Sequence, residues 1–95
     1  MTVKPQPLSI VVNNTFTPNG DGVNDTWTIK NIDGFPNCVV QIYNRYGTSV
    51  FYSVSYAKPW DGALNGKDLP VGTYYYVIDL KNGDKPVAGW VAVIR

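Results

Sequence analysis

The sequence predicts an all-β fold, a single antiparallel β-sandwich of immunoglobulin-like type with six or seven strands. The chain has 95 residues, a length that supports one domain around one core. All seven acidic residues are aspartate, and seven tyrosines, three tryptophans and three phenylalanines favour strands over helices. Short apolar runs also recur between clusters of Gly, Pro, Asn and Asp, at the spacing typical of sandwich strands.

Two predicted elements lie in the first third of the chain. Residues 1–7 contain two prolines and have the composition of an extended linker, so we expect the domain to span residues 8–95. The apolar run at 8–12 is long enough for one strand. Residues 26–30 alternate between apolar and polar, which predicts a second strand with Trp27 and Ile29 facing the core.

The clearest hairpin joins the apolar runs at 39–43 and 48–52. The connecting residues 44–47 end in Gly47, which suits the positive-φ position of a hairpin with a bulge. This pattern predicts two adjacent antiparallel strands.

A long polar connection and two further strands complete the chain. Residues 53–70 are predicted to be a connection in which Trp60 caps one end of the sandwich. Residues 73–80 are apolar on both faces, which is typical of a central strand. The Asn-Gly pair at 82–83 then predicts a turn into the last strand, 87–94.

The loop between residues 14 and 27 is the part of the chain richest in turn residues. Gly20 and Gly22 allow positive φ, and neighbouring side-chain oxygens can accept hydrogen bonds from backbone amides. Four side chains supply these oxygens: Asn19, Asp21, Asn24 and Asp25. A tight, self-bonded loop is expected.

The same four side chains also make this loop a candidate calcium site. Oxygens at alternate positions with a glycine at the sharp turn resemble the middle of a calcium loop. With Gly22 placed at the invariant glycine, however, the first and last ligand positions fall on Thr17 and Thr28, where strong ligands are needed. The interpretation preferred from the sequence is therefore a hydrogen-bonded double turn without an ion, and calcium is the alternative.

Composition argues against several functional classes. The chain has no histidine, and its single cysteine, Cys38, is expected to be a buried or strand-edge apolar residue. Asp21, Asp25 and Asp61 are better explained as turn residues than as catalytic carboxylates. We therefore expect a protein that is not an enzyme.

Charge and hydropathy argue against binding to nucleic acids and against a membrane span. The net charge is +1 and the basic residues are dispersed, so no nucleic-acid partner is expected. No apolar run of membrane-spanning length occurs, and the first residues lack an apolar signal core. We expect neither a direct membrane span nor an export signal of the chain's own.

Aromatic residues support a second hypothesis, a carbohydrate-binding or adhesive β-sandwich of a secreted protein. Five of them are candidates for stacking on sugar rings: Tyr43, Trp60, Tyr74, Tyr76 and Trp90. The alternative is that these side chains fill the space between two sheets, which is the commoner role of aromatics at strand period.

Several motifs, in a fixed order, carry a resemblance that covers about residues 8–95. They are FTPNGDGVND at 16–25, IYNRYG at 42–47, WDG at 60–62, LPVGTYYY at 69–76 and a last strand that ends in Arg95. The set resembles the gliding-motility-associated C-terminal domain, the type B sorting domain of the type IX secretion system of Bacteroidota.

The resemblance implies that this domain follows a large cargo protein, often an adhesin or a surface enzyme. Such domains direct cargo from the periplasm across the outer membrane to the cell surface or the medium. The expected partners are the type IX translocon and an outer-membrane protein of the PorP/SprF type.

The motifs also suggest which residues a partner recognises. These are the hairpin tip and the glycine-rich loop, represented by Arg45, Tyr46, Gly47, Asn19 and Asp21. At a hairpin tip a core role for Arg45 is not expected, and the alternative is a solvated turn cation. The hairpin departs from the family pattern because Tyr46 replaces a usual tryptophan, and Thr48 and Ser49 replace a step that usually contains asparagine.

Overall fold

The computed structural model describes residues 10–22 and 25–95. Within these residues the regular structure is a set of short strands and one 3₁₀ turn, Ile32–Gly34. In chain order the strands are β1 Val11–Val12, β2 Thr15–Phe16, β3 Ile29–Lys30, β4 Val39–Tyr43, β5 Ser49–Val54, β6 Ala63–Leu64, β7 Lys67–Asp68, β8 Gly72–Asp79 and β9 Val87–Val93. The predicted linker, 1–7, and the first residues of the predicted strand 8–12 lie outside the described part of the chain.

A five-stranded sheet in the order β2-β9-β8-β4-β5 forms the main layer. The predicted hairpin is the antiparallel β4–β5 pair, with a register shift between Ile42 and Tyr43. Strand β8 pairs with β4 on one side and β9 on the other, which confirms its central position. The all-β sandwich-like fold is confirmed.

One edge of this sheet differs from the antiparallel pattern. Strand β2 runs parallel to β9, with Thr15 opposite Ala92 and Phe16 opposite Val93. The amide of Ala92 donates to Asn14 O at 2.7 Å, and the amide of Ile94 donates to Phe16 O at 3.1 Å. A two-residue strand has too little hydrophobic periodicity to be recognised from sequence, so this mixed edge was not expected.

The core lies on the inner face of the five-stranded sheet. That face contributes Val40 and Ile42 from β4, Ile78 from β8 and Val91 from β9, all with no exposed surface. The small β1–β3 sheet contributes Ile29 to the same core, which also contains a group of packed rings, some of them from the five-stranded sheet itself. The rings are Phe16, Trp27, Phe51, Tyr56, Trp60, Tyr74 and Tyr76.

Tyr56 fixes the position of the two buried tryptophans. Its hydroxyl donates to the carbonyl of Trp27 and accepts from the amide of Trp60 at 2.9 Å. The amide of Trp27 in turn donates to Trp60 O at 2.8 Å. As predicted, Trp27 and Ile29 face the core, and Trp60 is buried among other rings.

The predicted connection at 53–70 contains more structure than expected. It holds the β6–β7 hairpin, whose turn residues Asn65 and Gly66 both have positive φ. Strand β5 also continues to Val54, past the predicted end of that strand at residue 52. Among the described residues, no helix is long and apolar enough to cross a membrane.

Candidate recognition surface

The side chain and backbone of Asn44 hold the hairpin tip between β4 and β5. Asn44 Oδ1 accepts from the amides of Tyr46 at 2.9 Å and Thr48 at 3.0 Å. The amide of Gly47 donates to Asn44 O at 3.0 Å, and its φ of 82° is the left-handed conformation predicted for it. The tip therefore presents its other side chains on a preformed turn.

Arg45 and Tyr46 are the exposed side chains of this tip. The guanidinium carbon of Arg45 lies 4.9 Å from the centre of the Tyr46 ring, and its Nη2 donates to Tyr46 Oη at 2.7 Å. Tyr46 is 76% exposed. The pair combines a cation, a phenol and an aromatic face in the solvent, a composition common in protein-binding hot spots.

A cleft of about 260 Å³ lies beside the tip. One wall is Asn44, Arg45 and Tyr46; the other is the segment 69–74, which belongs to the fourth motif of the sequence. The hydroxyl of Tyr74 donates to Pro70 O at 2.7 Å and fixes this second wall, on which Val71 is exposed.

The glycine-rich loop is self-bonded in its described part. Asp25 accepts from two backbone amides, Gly20 at 3.0 Å and Gly22 at 2.7 Å. Asn19 Oδ1 accepts from the amide of Asp21 at 3.1 Å. Asn24, the remaining ligand of the calcium hypothesis, lies outside the described residues. The geometry has the form of a hydrogen-bonded turn, and calcium binding stays a prediction.

Arg95 connects the loop to the cleft. Its guanidinium donates to three backbone carbonyls, Pro18 O at 2.9 Å, Gly62 O at 2.8 Å and Leu69 O at 3.0 Å. Asp68 lies 3.6 Å from the same guanidinium but is largely exposed, so it adds little. Because Leu69 also lines the cleft, Arg95 links three sequence motifs at one end of the molecule.

Gly62 is the closest packing point of this junction. Its φ is 78°, and a Cβ added there would lie 3.1 Å from Pro18 Cγ and 3.3 Å from Arg95 Nη2. The glycine of the WDG motif is therefore required both by conformation and by space. We call the contacts of Arg95 with Pro18, Gly62 and Leu69 the Arg95 junction.

The pKa shift at this end of the molecule concerns Tyr74. Burial raises the pKa of Tyr74, and the nearby charge of Arg95 acts in the opposite direction. Elsewhere, burial raises the pKa of the Cys38 thiol, so this cysteine is an unreactive core residue, as expected. Neither group has the lowered pKa that would mark it as a nucleophile.

The structure separates the five aromatic residues of the carbohydrate hypothesis. Trp60, Tyr74 and Tyr76 are buried, so these three are core residues and cannot stack on a sugar. Tyr43 and Trp90 lie on the outer face of the sheet. Tyr75, which the hypothesis omitted, stands between them because it is opposite Tyr43 in β4 and Trp90 in β9.

Of the predicted recognition residues, Arg45, Tyr46 and Gly47 form one tip, whereas Asn19 and Asp21 lie in the separate glycine-rich loop. Sequence reasoning missed the residues that relate the two groups. Arg95 was noticed only as the end of the last strand, and Leu69 only as part of a motif. Hydrogen bonds to carbonyls 26 and 77 residues away leave no local pattern in the sequence.

Comparison with known proteins identifies the family. A model of the CHU_C type IX secretion signal domain matches residues 10–93. A search of curated proteins gave no match. The chain is similar in fold to part of PorZ, an essential bacterial surface component of the type IX secretion system of Porphyromonas gingivalis, with a TM-score of 0.67 and 23% identity.

The alignment with PorZ covers 90% of this chain and 11% of that structure, so the likeness concerns one domain of a much larger protein. The family model, in contrast, matches almost the full length of the present chain. This chain belongs to the CHU_C type IX secretion signal domain family.

Proposed function

We propose that this domain directs a large cargo protein, an adhesin or a surface enzyme, through the type IX translocon as a type B sorting signal. It is recognised as a folded domain by the translocon and by an outer-membrane protein of the PorP/SprF type. The cargo passes through the periplasm and then reaches the cell surface or the medium.

The observation that carries this proposal is the convergence of the sequence motifs at one end of the fold. The Arg95 junction connects the glycine-rich loop, the WDG motif and one wall of the cleft. The hairpin tip forms the other wall. A surface assembled from segments distant in sequence exists only in the folded state, as recognition of a folded signal requires.

Within this surface, Arg45 and Tyr46 are proposed to contact the partner first. Both are exposed, both stand on a preformed turn, and their removal leaves the core intact. The domain itself is proposed to have no catalytic activity, since the sequence contains no histidine and Asp25 is engaged by two amides.

The test is to fuse residues 1–95 behind a fluorescent reporter with a signal peptide, in a type IX-competent cell. Export should require both the translocon and the PorP/SprF-type partner, so strains lacking either one should retain the reporter in the periplasm. Retention in the wild-type strain, with the domain folded, would refute the proposal.

A matched pair of variants then locates the recognition surface. Arg45→Ala should reduce export at least about tenfold, the effect of losing roughly 1.4 kcal/mol of binding. Lys85→Ala is the control, because this exposed lysine lies in the β8–β9 turn at the opposite end of the sheet from the hairpin tip. Equal export by both variants would exclude the tip from recognition.

Carbohydrate binding is the second candidate function, and the exposed aromatic row on the outer face favours it. Tyr75 is 49% exposed and Trp90 is 50% exposed, in neighbouring strands. Binding of polysaccharide should quench the fluorescence of Trp90, the one tryptophan of the described chain with a half-exposed ring. A flat response across a glycan array, or quenching retained in Trp90→Phe, would remove this candidate.

A further inference from the structure

Among the described residues, strand β5 forms an open edge of the five-stranded sheet. It pairs with β4 on one side, and the sheet order ends at β5 on the other. Just beyond this pairing, the amide of Ser55 donates to Cys38 O at 2.7 Å. In an antiparallel ladder, residues bonded to the partner strand alternate with residues that are not.

This alternation fixes the direction of the backbone groups along β5. Ser53 and Phe51, two and four residues before Ser55, share its bonded position and face β4. Tyr52 and Val54 therefore direct their N–H and C=O groups away from β4, toward the open side. Their side chains are also exposed, 61% and 54% respectively, on the outer face of the sheet.

A groove of about 300 Å³ runs beside this edge. Residues 51–53 of β5 form one side, and the segment 58–66, which includes Lys58 and Asp61, forms the other. Within residues 10–22 and 25–95, the groove thus combines backbone groups of β5 that no strand pairs with and a wall of mixed polar and apolar side chains.

The buried indole of Trp60 also lines this groove. Trp60 lines the groove and is 1% exposed, yet in the described part of the chain its indole Nε1–H meets no hydrogen-bond acceptor. The other core indole, that of Trp27, donates to Asn13 O. Trp60 therefore forms part of the groove wall, and its indole N–H is a spectroscopic probe of this wall.

We propose that the open edge of β5 binds an extended segment of a partner protein, which adds a sixth strand to the sheet. Backbone hydrogen bonds to Tyr52 and Val54 provide the pairing, in the manner of β-augmentation. Alternate side chains of the segment lie beside Tyr52 and Val54 and are apolar. The others enter the groove, where polar groups meet Lys58 and Asp61.

The shape of the groove favours a single extended segment over a second copy of this chain. Two copies paired edge to edge about a two-fold axis would place both 58–66 walls on the same side of the joined sheet. Each wall would then occupy the space beneath the partner's β5, where the core rings Phe51 and Trp60 already lie. An isolated strand brings no such layer with it.

The experiment titrates the ¹⁵N-labelled domain with a synthetic peptide of alternating valine and threonine. The control peptide has the same sequence with alternate backbone nitrogens methylated, which removes the pairing donors and leaves the side chains. With the first peptide, the amides of Tyr52 and Val54 should shift and exchange with solvent at least about tenfold more slowly. The indole N–H of Trp60 should also shift, while that of Trp27 should not.

Two further results are required. Val54→Pro, which removes one outward N–H and no bond to β4, should abolish the shifts without changing the melting temperature. The methylated peptide should leave the spectrum unchanged. Equal shifts with both peptides, or shifts confined to Trp90 and Tyr75 on the outer face, would overturn the proposal. Concentration-dependent broadening at Tyr52 and Val54 without peptide would assign the edge to a second copy instead.

Discussion

The hairpin tip and the Arg95 junction each depend on one arginine, but the two arginines are used in opposite ways. Arg45 contacts the neighbouring Tyr46, and the turn beneath it is held by Asn44. Arg95 bonds to carbonyls of three segments that are 26, 33 and 77 residues away. The tip is a local structure, whereas the junction is long-range.

This difference separates the proposed recognition residues of the tip from the contacts that hold the surrounding loops together. A local turn keeps its shape when an exposed side chain is removed, so a variant of the tip tests the proposed partner contact without disturbing the fold. The Arg95 junction positions the glycine-rich loop relative to the cleft, so its loss disturbs the whole surface. Variants of the two regions should therefore differ in stability and in export in distinct ways.

The largest effect is expected from Arg95→Ala. It removes a charged donor from Pro18 O, Gly62 O and Leu69 O, and we expect a loss of about 2–4 kcal/mol in the free energy of unfolding. For a domain of this size the melting temperature should fall by roughly 10–25 °C. Thermal unfolding followed by circular dichroism measures this directly.

Arg95→Lys and Arg45→Ala are the comparisons that sharpen this result. A lysine keeps the charge but lacks the planar guanidinium that bonds to three carbonyls. The stability of the Arg95→Lys protein should therefore lie between those of the wild type and Arg95→Ala. Arg45→Ala should change the melting temperature by no more than a few degrees, because exposed ion and ring contacts contribute little. A stable Arg95→Ala protein would show that the junction does not hold the loops.

A pair of glycine substitutions tests the same contrast through the backbone. Gly47 and Gly62 have nearly equal φ values, 82° and 78°. Alanine at either position should cost about 1 kcal/mol for the left-handed conformation. At Gly62 the new Cβ would also press on Pro18 at 3.1 Å, whereas at Gly47 no described atom beyond its chain neighbours lies within 4 Å.

We therefore expect Gly62→Ala to lose about 2–3 kcal/mol and Gly47→Ala about 1 kcal/mol. Urea unfolding of the two variants, fitted with a common slope, gives the difference. Equal losses would mean that Pro18 moves aside freely and that the junction is not closely packed.

Much of the main sheet could be predicted from sequence because it repeats a local pattern. The tip at 44–47 carries its turn chemistry in four consecutive residues, and strands β4, β5, β8 and β9 have clear apolar periodicity. The inward direction of Trp27 also follows from alternation alone. These features are decided by interactions among residues close in the chain.

The remaining features depend on contacts that the sequence does not encode locally. The two-residue strand β2 is defined by its parallel pairing with β9, and the short strands β6 and β7 occur in a polar segment. Tyr74 and Tyr76 have the composition of a sugar-binding face but are core residues, because β8 turns them inward. The groove at β5 requires the fold to bring segment 58–66 beside the edge.

The stability of the domain at alkaline pH tests two buried tyrosines, Tyr56 and Tyr74. Burial raises the pKa of Tyr56 and of Tyr74 above the ordinary tyrosine value of 10.0. Below pH 10 both states keep these protons and their contribution to stability is complete; above it the unfolded chain releases them first. Stability should then fall by about 1.4 kcal/mol per pH unit for each such tyrosine until its folded pKa is reached.

Burial raises the pKa of Tyr74, and the charge of Arg95 makes this rise smaller. Tyrosinate absorbance should show one phenol titrating at higher pH in Arg95→Ala than in the wild type. Tyr74→Phe identifies that phenol. An identical titration in the wild type and in Arg95→Ala would indicate that Arg95 does not act on Tyr74.

The smallest effect is expected from calcium, and it concerns the loop that the junction positions. If Asn19, Asp21, Asn24 and Asp25 form a weak site with a dissociation constant of about 1 mM, then about 10 mM calcium should stabilise the domain by roughly 1.4 kcal/mol. Asp25 already accepts from the amides of Gly20 and Gly22, so we expect no shift in melting temperature relative to equal magnesium or a chelator. Asp25→Ala should destabilise the loop in every buffer, because it leaves those two amides without their acceptor. A rise that depends on calcium and disappears in Asp25→Ala would instead establish the ion, and the loop would then be a metal-dependent part of the surface rather than a self-sufficient turn.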